Sequence, residues 1–143
     1  MTETSVDEIR HAIGRHIELW NSKDRDGWLQ HWQSTAPGGY ALEDPVGTPV
    51  KRGYELLGEV WDRAFDETAW KITMKQCIVC GNEAALVMVN EGTVGGAAVA
   101  VEGVELYRFG EDRSVHQRTF YELPEGSEYL EWTEKTGDRD DEA

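Results

Sequence analysis

The sequence predicts an α+β fold in which a cone-shaped, curved, mainly antiparallel sheet wraps around three N-terminal helices. Three observations carry that prediction. Apolar residues recur at helical spacing through the N-terminal half. From about residue 70 onward that spacing gives way to β-branched and aromatic runs broken by short turn signals. Helices come first and strands last with no βαβ alternation, the order that packs helices on one face of an antiparallel sheet.

The first helix is SVDEIRHAIGRHIELWN. Ser5 and Glu8 have the spacing of a capping box, and Val6, Ile9, Ile13, Ile17 and Trp20 then repeat at helical spacing. His16 lies three residues after Ile13 and four before Trp20, so it shares the inward face. A second helix, DRDGWLQHW, opens near Asp24 and carries Trp28, Leu29 and Trp32 until STAPGG breaks it. His31 on that helix reads as a surface residue. YALEDPVG follows as a short strand. VKRGYELLGEVWDRAF is a third helix with Leu56, Leu57, Val60, Trp61 and Phe65 on or near its buried side.

WKITMKQCIVC, EAALVMVNEGTV, GAAVAVEGVELYRF and VHQRTFYEL form the strands, separated by GNE, a turn at Gly95-Gly96, and GEDR. Strand alternation puts Leu86, Met88 and Asn90 on one face, and Val101, Gly103, Glu105 and Tyr107 on one face of the next strand. Apolar Val104 and Leu106 flank Glu105, so alternation leaves its side open. The same alternation sends Cys77 and Cys80 to opposite faces, and two reduced structural thiols are expected rather than a redox pair.

A chain of 143 residues is the length of one ordinary domain, assigned to 1–125, with 126–143 an acidic tail expected to be flexible. The formal charge of −14, from 28 acidic and 14 basic residues, argues against nucleic acid and anionic membrane surfaces as partners. No apolar run reaches the roughly 18 residues of a membrane span and MTETSVDEIR lacks a signal-peptide pattern, so a cytoplasmic protein is expected. His11, His16, His31 and His116 show no metal-ligand spacing. No glycine-rich phosphate loop or nucleophile elbow is present either, and neither metal nor cofactor is expected.

The chemistry centres on ALEDPVG, where Glu43 and Asp44 interrupt an apolar run. Strand parity separates them, so with Asp44 inward Glu43 is outward and solvated. The plain alternative for Asp44 is a turn carboxylate that caps a backbone N–H ahead of the third helix.

Over roughly residues 6 to 122 several stretches resemble one family. They are RHIELWNSKDRDGW, EDPVG with Gly53 six residues further on, GNEAALVMV, and ELYRF followed by QRTFYE. They resemble the ketosteroid isomerase (steroid Δ-isomerase) branch of the nuclear transport factor 2-like superfamily, which includes the SnoaL-like polyketide cyclases. The resemblance implies a cone-shaped fold, a homodimer, and proton transfer beside a ketone with Asp44 as general base. In that family a Tyr and a protonated carboxylic acid donate hydrogen bonds to the enolate oxygen. The matching positions here are His16 and Glu105, and Trp61 stands where a second, supporting Tyr is expected. The implied ligand is an apolar carbonyl compound, steroid-like or polyketide-like. Its pocket would be lined by Trp28, Trp61, Leu86, Met88, Asn90, Val101, Tyr107 and Tyr121. Facing each other, His16 and Glu105 could also form an ion pair. Two other readings stand beside this one. One is a ligand-binding or dimerisation module without chemistry. The other is an epoxide hydrolase, whose Asp-Arg-Asp set needs an inward Arg that the sequence does not place.

Overall fold

The structure, a computed structural model, describes residues 4–66 and 69–122. The proposed tail from residue 126 lies outside the described residues. Three helices, α1 (Val6–Asn21), α2 (Arg25–Thr35) and α3 (Tyr54–Ala64), accompany six strands. These are β1 (Gly39–Glu43), β2 (Lys51–Arg52), β3 (Lys71–Cys80), β4 (Glu83–Val94), β5 (Ala97–Phe109) and β6 (Ser114–Phe120). They form one curved, non-closed sheet of order β2-β1-β6-β5-β4-β3, antiparallel except where β1 runs parallel to β6. The α+β class and the mainly antiparallel sheet are those the sequence predicts.

Local chemistry explains the helix starts. Glu8 N–H donates to Ser5 Oγ and Ser5 N–H donates to Glu8 Oε1, both at 3.1 Å, so each satisfies an amide the helix leaves unpaired. Asp24 caps α2 by accepting from Gly27 N–H at 3.0 Å. The end of α1 also guards the sheet. Asn21 brackets Ile72, donating to its carbonyl at 2.9 Å and accepting from its N–H at 2.8 Å, while Arg10 Nη1 donates to the Cys77 carbonyl at 3.2 Å. Those groups belong to the outer edge of β3, and covering them blocks further strand pairing there.

The core lies between the helices and the concave face. Its centre is aromatic: Trp61 packs on Trp20 and Trp28 with ring centroids 5.0 Å apart in each case, and Trp32 stacks on Tyr107 at 5.9 Å. Such pairs add about 0.5–1.5 kcal/mol each beyond the area they bury.

Three details differ from the sequence reading. Lys51 and Arg52, read as the start of the third helix, form β2 against Leu42 and Ala41, and α3 begins only at Tyr54. Gly53, at φ 93°, makes the turn between them in a conformation that side chains disfavour. The pairing of β3 with β4 slips between Met74 and Gln76, so Ile72 faces in before the bulge and Cys77 and Val79 after it. Cys77 is half-buried, Cys80 is exposed, and both are free thiols. Lastly, His31 is not a surface residue. It is half-buried between α1 and α2, with Nε2 2.9 Å from the Ala12 carbonyl and its ring 5.0 Å from that of Trp32.

Candidate active site

Asp44 directly follows β1, joined to Pro45 by a cis peptide. It is half-buried, and its Oδ1 is shut off from solvent with no hydrogen-bond partner. Burial, and next the negative charge of Glu105, push its carboxyl up from 3.8 to about 6, against the opposing pull of the Lys51 ammonium and a hydrogen bond from Tyr121. A carboxylate of this kind is poised close to neutral pH, where a general base works best.

Glu43 has a different fate from the expected one. It is not solvated: Nε2 of His116 lies 3.0 Å and Nε of Arg118 3.3 Å from its Oε1. The reason is topological. β1 is an inner strand, and its parallel register sets Glu43 beside Arg118 of β6.

The register of β5 decides the side of Glu105, which alternation left open. Glu105 sits between Leu86 of β4 and Thr119 of β6, both buried, and is itself 7% exposed. Its Oε1 accepts a short hydrogen bond from the Tyr107 hydroxyl. Burial, and then the adjacent Glu105 charge, push the Tyr107 phenol well above its ordinary range, so it stays a donor. Glu105 Oε1 also lies 3.4 Å from His16 Nε2. His16 reaches it from the buried face of α1, where its Nδ1 is 2.9 Å from Trp28 Nε1 and its Nε2 has no well-formed hydrogen bond.

The structure therefore gathers His16, Glu105 and Tyr107 by direct contact, while Asp44 feels the charges of Glu105 and Lys51 and a hydrogen bond from Tyr121. Leu86 and Met88 are buried on β4 in the rows of Glu105 and Gly103. Asn90 and Val101 pair one row further along, both half-buried, and Asn90 Oδ1 is a second buried acceptor without a partner. Trp28 and Trp61 sit deeper, in the aromatic cluster.

Three buried polar groups escaped the sequence reading. Lys51 is 2% exposed, and its Nζ donates to the Pro49 carbonyl at 3.4 Å. Burial lowers its pKa while the Asp44 charge raises it. In a segment read as helix, a Lys is expected to reach solvent. Gln117 and Thr119 point inward from β6, where Gln117 accepts from the Tyr40 hydroxyl at 2.5 Å and donates to Thr119 Oγ1 at 3.2 Å. Both faces of that strand carry polar residues, so no alternation marked them. Among the described residues no Arg is buried, and no three His, Cys, Asp or Glu side chains converge as metal ligands.

A family model described as a SnoaL-like domain matches residues 13–117. Among solved structures, the chain is similar to SalBIII, an epoxide hydrolase/cyclase-like enzyme of pyran ring formation in the polyether salinomycin. The TM-score is 0.72 at 16% identity, covering 84% of this chain and 95% of that one. It is also similar to RV0760c from Mycobacterium tuberculosis in complex with estradiol-17β-hemisuccinate, with a TM-score of 0.66 at 21% identity over 80% and 93% of the two chains. A Δ5-3-ketosteroid isomerase from Mycobacterium sp. gives a TM-score of 0.65 at 22% identity over 80% and 92%. No curated protein matches the chain by sequence.

Proposed function

We propose, from the premise that the chain belongs to the SnoaL-like domain family, that it is an isomerase- or cyclase-type enzyme moving a proton on an apolar carbonyl compound, with Asp44 as general base. The observation that carries this reading is the state of Asp44: a carboxyl raised to about 6, with one buried oxygen that has no hydrogen-bond partner among the described residues. An ordinary capping carboxylate would accept from backbone N–H groups and be held low, whereas in Asp44 burial outweighs the Tyr121 hydrogen bond. In the proposed step Asp44 removes a proton from the carbon beside the carbonyl, the electron pair moves onto oxygen as an enolate, and the same proton is returned to another carbon. The enolate oxygen needs a donor; His16 takes that role here, and Glu105 can share it only in its protonated form.

The substrate class is steroid-like or polyketide-like. Support comes from the steroid ester bound by one structural neighbour and the ketosteroid and polyether chemistry of two others. An apolar wall of Leu86, Met88 and Val101, with Asn90 offering an acceptor, suits an apolar body bearing a hydroxyl. The test is to incubate the purified chain with 5-androstenedione and related β,γ-unsaturated ketones and follow the conjugated product. Turnover that Asp44→Asn abolishes supports the reading. Binding without turnover across the panel would replace it with the ligand-binding module, and diol formation from epoxides would favour a hydrolase.

Lys51 supplies a sharper prediction. Its cation is one of two influences holding Asp44 down. In Lys51→Met the carboxyl should rise further, so the acid limb of kcat/KM moves to higher pH than the wild-type limb near 6. An unmoved limb would disconnect the two residues.

The quaternary reading is a homodimer through the convex face. In register across the strands, Gln76, Val87, Val104 and Phe120 form one outward row, and Ile78, Ala85, Leu106 and Arg118 the next. Ile78 is 49% exposed and Phe120 39%, leaving apolar area that a second copy would cover. Sedimentation should give a dimer at micromolar concentration and a monomer for Ile78→Lys. A wild-type monomer would rule the dimer out.

A further inference from the structure

We infer that Trp28 is a positioning residue that decides which nitrogen of His16 carries the proton, making His16 a neutral donor at Nε2. Its consequence for catalysis rests on the function proposed above, whereas the protonation pattern itself does not. An indole Nε1–H can only donate, so the 2.9 Å contact from Trp28 requires a lone pair on His16 Nδ1. The ring proton is then on Nε2. That nitrogen is buried without a well-formed hydrogen bond, and the nearest acceptor, Glu105 Oε1, is 3.4 Å away, longer than the roughly 3 Å of a good N–H···O bond. Nε2–H is thus a donor that faces Glu105 without a well-formed bond to it among the described residues, and so can turn to a bound acceptor.

A second proton on His16 would set N–H against N–H at Nδ1 and leave both buried donors unsatisfied. The opposing influence is Glu105 on β5, whose charge would favour an imidazolium. The other titratable groups facing the ring are Tyr107, also on β5, and His31 on α2. The remaining neighbours are the apolar rings of Trp20, Trp28 and Trp32. Trp28 is poorly free to swing away, being packed on Trp20 at 5.5 Å and Trp61 at 5.0 Å. The departures from the family pattern then form one device. His16 takes the donor position, Trp28 orients its tautomer, and Trp61 braces Trp28 instead of supporting a Tyr. A neutral imidazole can polarise a carbonyl, and it does so without placing a new cation among the carboxylates.

The test is NMR on the full chain with ¹⁵N-labelled His and Trp. Wild type at neutral pH should show the Nε2–H tautomer, together with a ¹⁵N–¹⁵N coupling between Trp28 Nε1 and His16 Nδ1. In Trp28→Phe the ring remains but the donor is lost. The coupling should then disappear and the Nδ1–H tautomer of His16 become populated, and kcat should fall by at least about tenfold with KM little changed. An imidazolium or an Nδ1–H tautomer in the wild type at neutral pH would overturn the inference, with or without turnover. If Trp28→Phe does not fold, the wild-type coupling decides. The expected tautomer in a protein without turnover would leave this inference standing and remove the enzymatic reading.

Discussion

Asp44→Asn is expected to lower turnover about 10²–10⁴-fold, the usual contribution of a positioned base, while making the protein more stable at neutral pH. Both effects have one cause. The folded protein holds the Asp44 proton more tightly than the unfolded chain does, because burial and Glu105 raise the carboxyl from 3.8 to about 6. Between those two pH values the unfolded chain has released a proton that the native state keeps, so stability falls as pH rises through that window. At about 1.36 kcal/mol per pH unit, the accumulated cost above pH 6 is about 3 kcal/mol. Asn carries no such cost, and its carbonyl can still accept from Tyr121. Urea unfolding should show the variant ahead of wild type at pH 7 and level with it below the lower value. The acid limb of wild-type kcat/KM should fall near pH 6. A variant that loses stability at pH 7, or a rate limb near 4, would mean that burial does not raise the Asp44 carboxyl. A gain in stability coupled to a loss of activity is the pattern expected where function holds a group in an unfavourable environment.

Trp32→Ala should produce the largest loss of stability. Trp32 is 0% exposed and is the hub between the helices and the site. Its ring stacks on Tyr107, meets Tyr40 edge-on at 5.0 Å, and lies 5.6 Å from His16. Truncating such a residue removes its buried area and leaves a cavity, at a cost of about 3–5 kcal/mol. Domains of this size have about 5–15 kcal/mol in total. The urea midpoint should drop accordingly, with the near-ultraviolet circular dichroism of the aromatic cluster weakened before the far-ultraviolet signal. A loss below about 1 kcal/mol would mean that Trp32 is not a core hub. Activity should fall with stability, since Tyr107 and His16 both lean on this ring.

The elements most legible in the sequence were those whose signal is local. Ser5 and Glu8 announced α1, and the apolar period placed His16 on its buried face. The turns after Cys80, Val94 and Phe109 delimited the long strands, and alternation along β4 placed Leu86 and Met88 inward as the structure has them. The readings that failed depended on distant neighbours. Glu43 was read as solvated because parity speaks of one strand alone, whereas its partners His116 and Arg118 arrive through a parallel pairing with β6. β2 is only two residues long and exists through its register with β1. His31 is drawn inward by a carbonyl of another helix.

By itself the sequence determined the α+β class, the order of the elements and the faces they bury, because hydrophobic period and turn chemistry are written within a few residues of each position. Only the tertiary structure decided the electrostatic character of the site. The direction of Glu105, the burial of Lys51, the hydrogen bond between Trp28 and His16, and the raised carboxyl of Asp44 all depend on groups from different strands and helices meeting out of water. In water these charges would be screened and their partners interchangeable. Once desolvated, each must be answered by a specific neighbour, and only the fold chooses that neighbour.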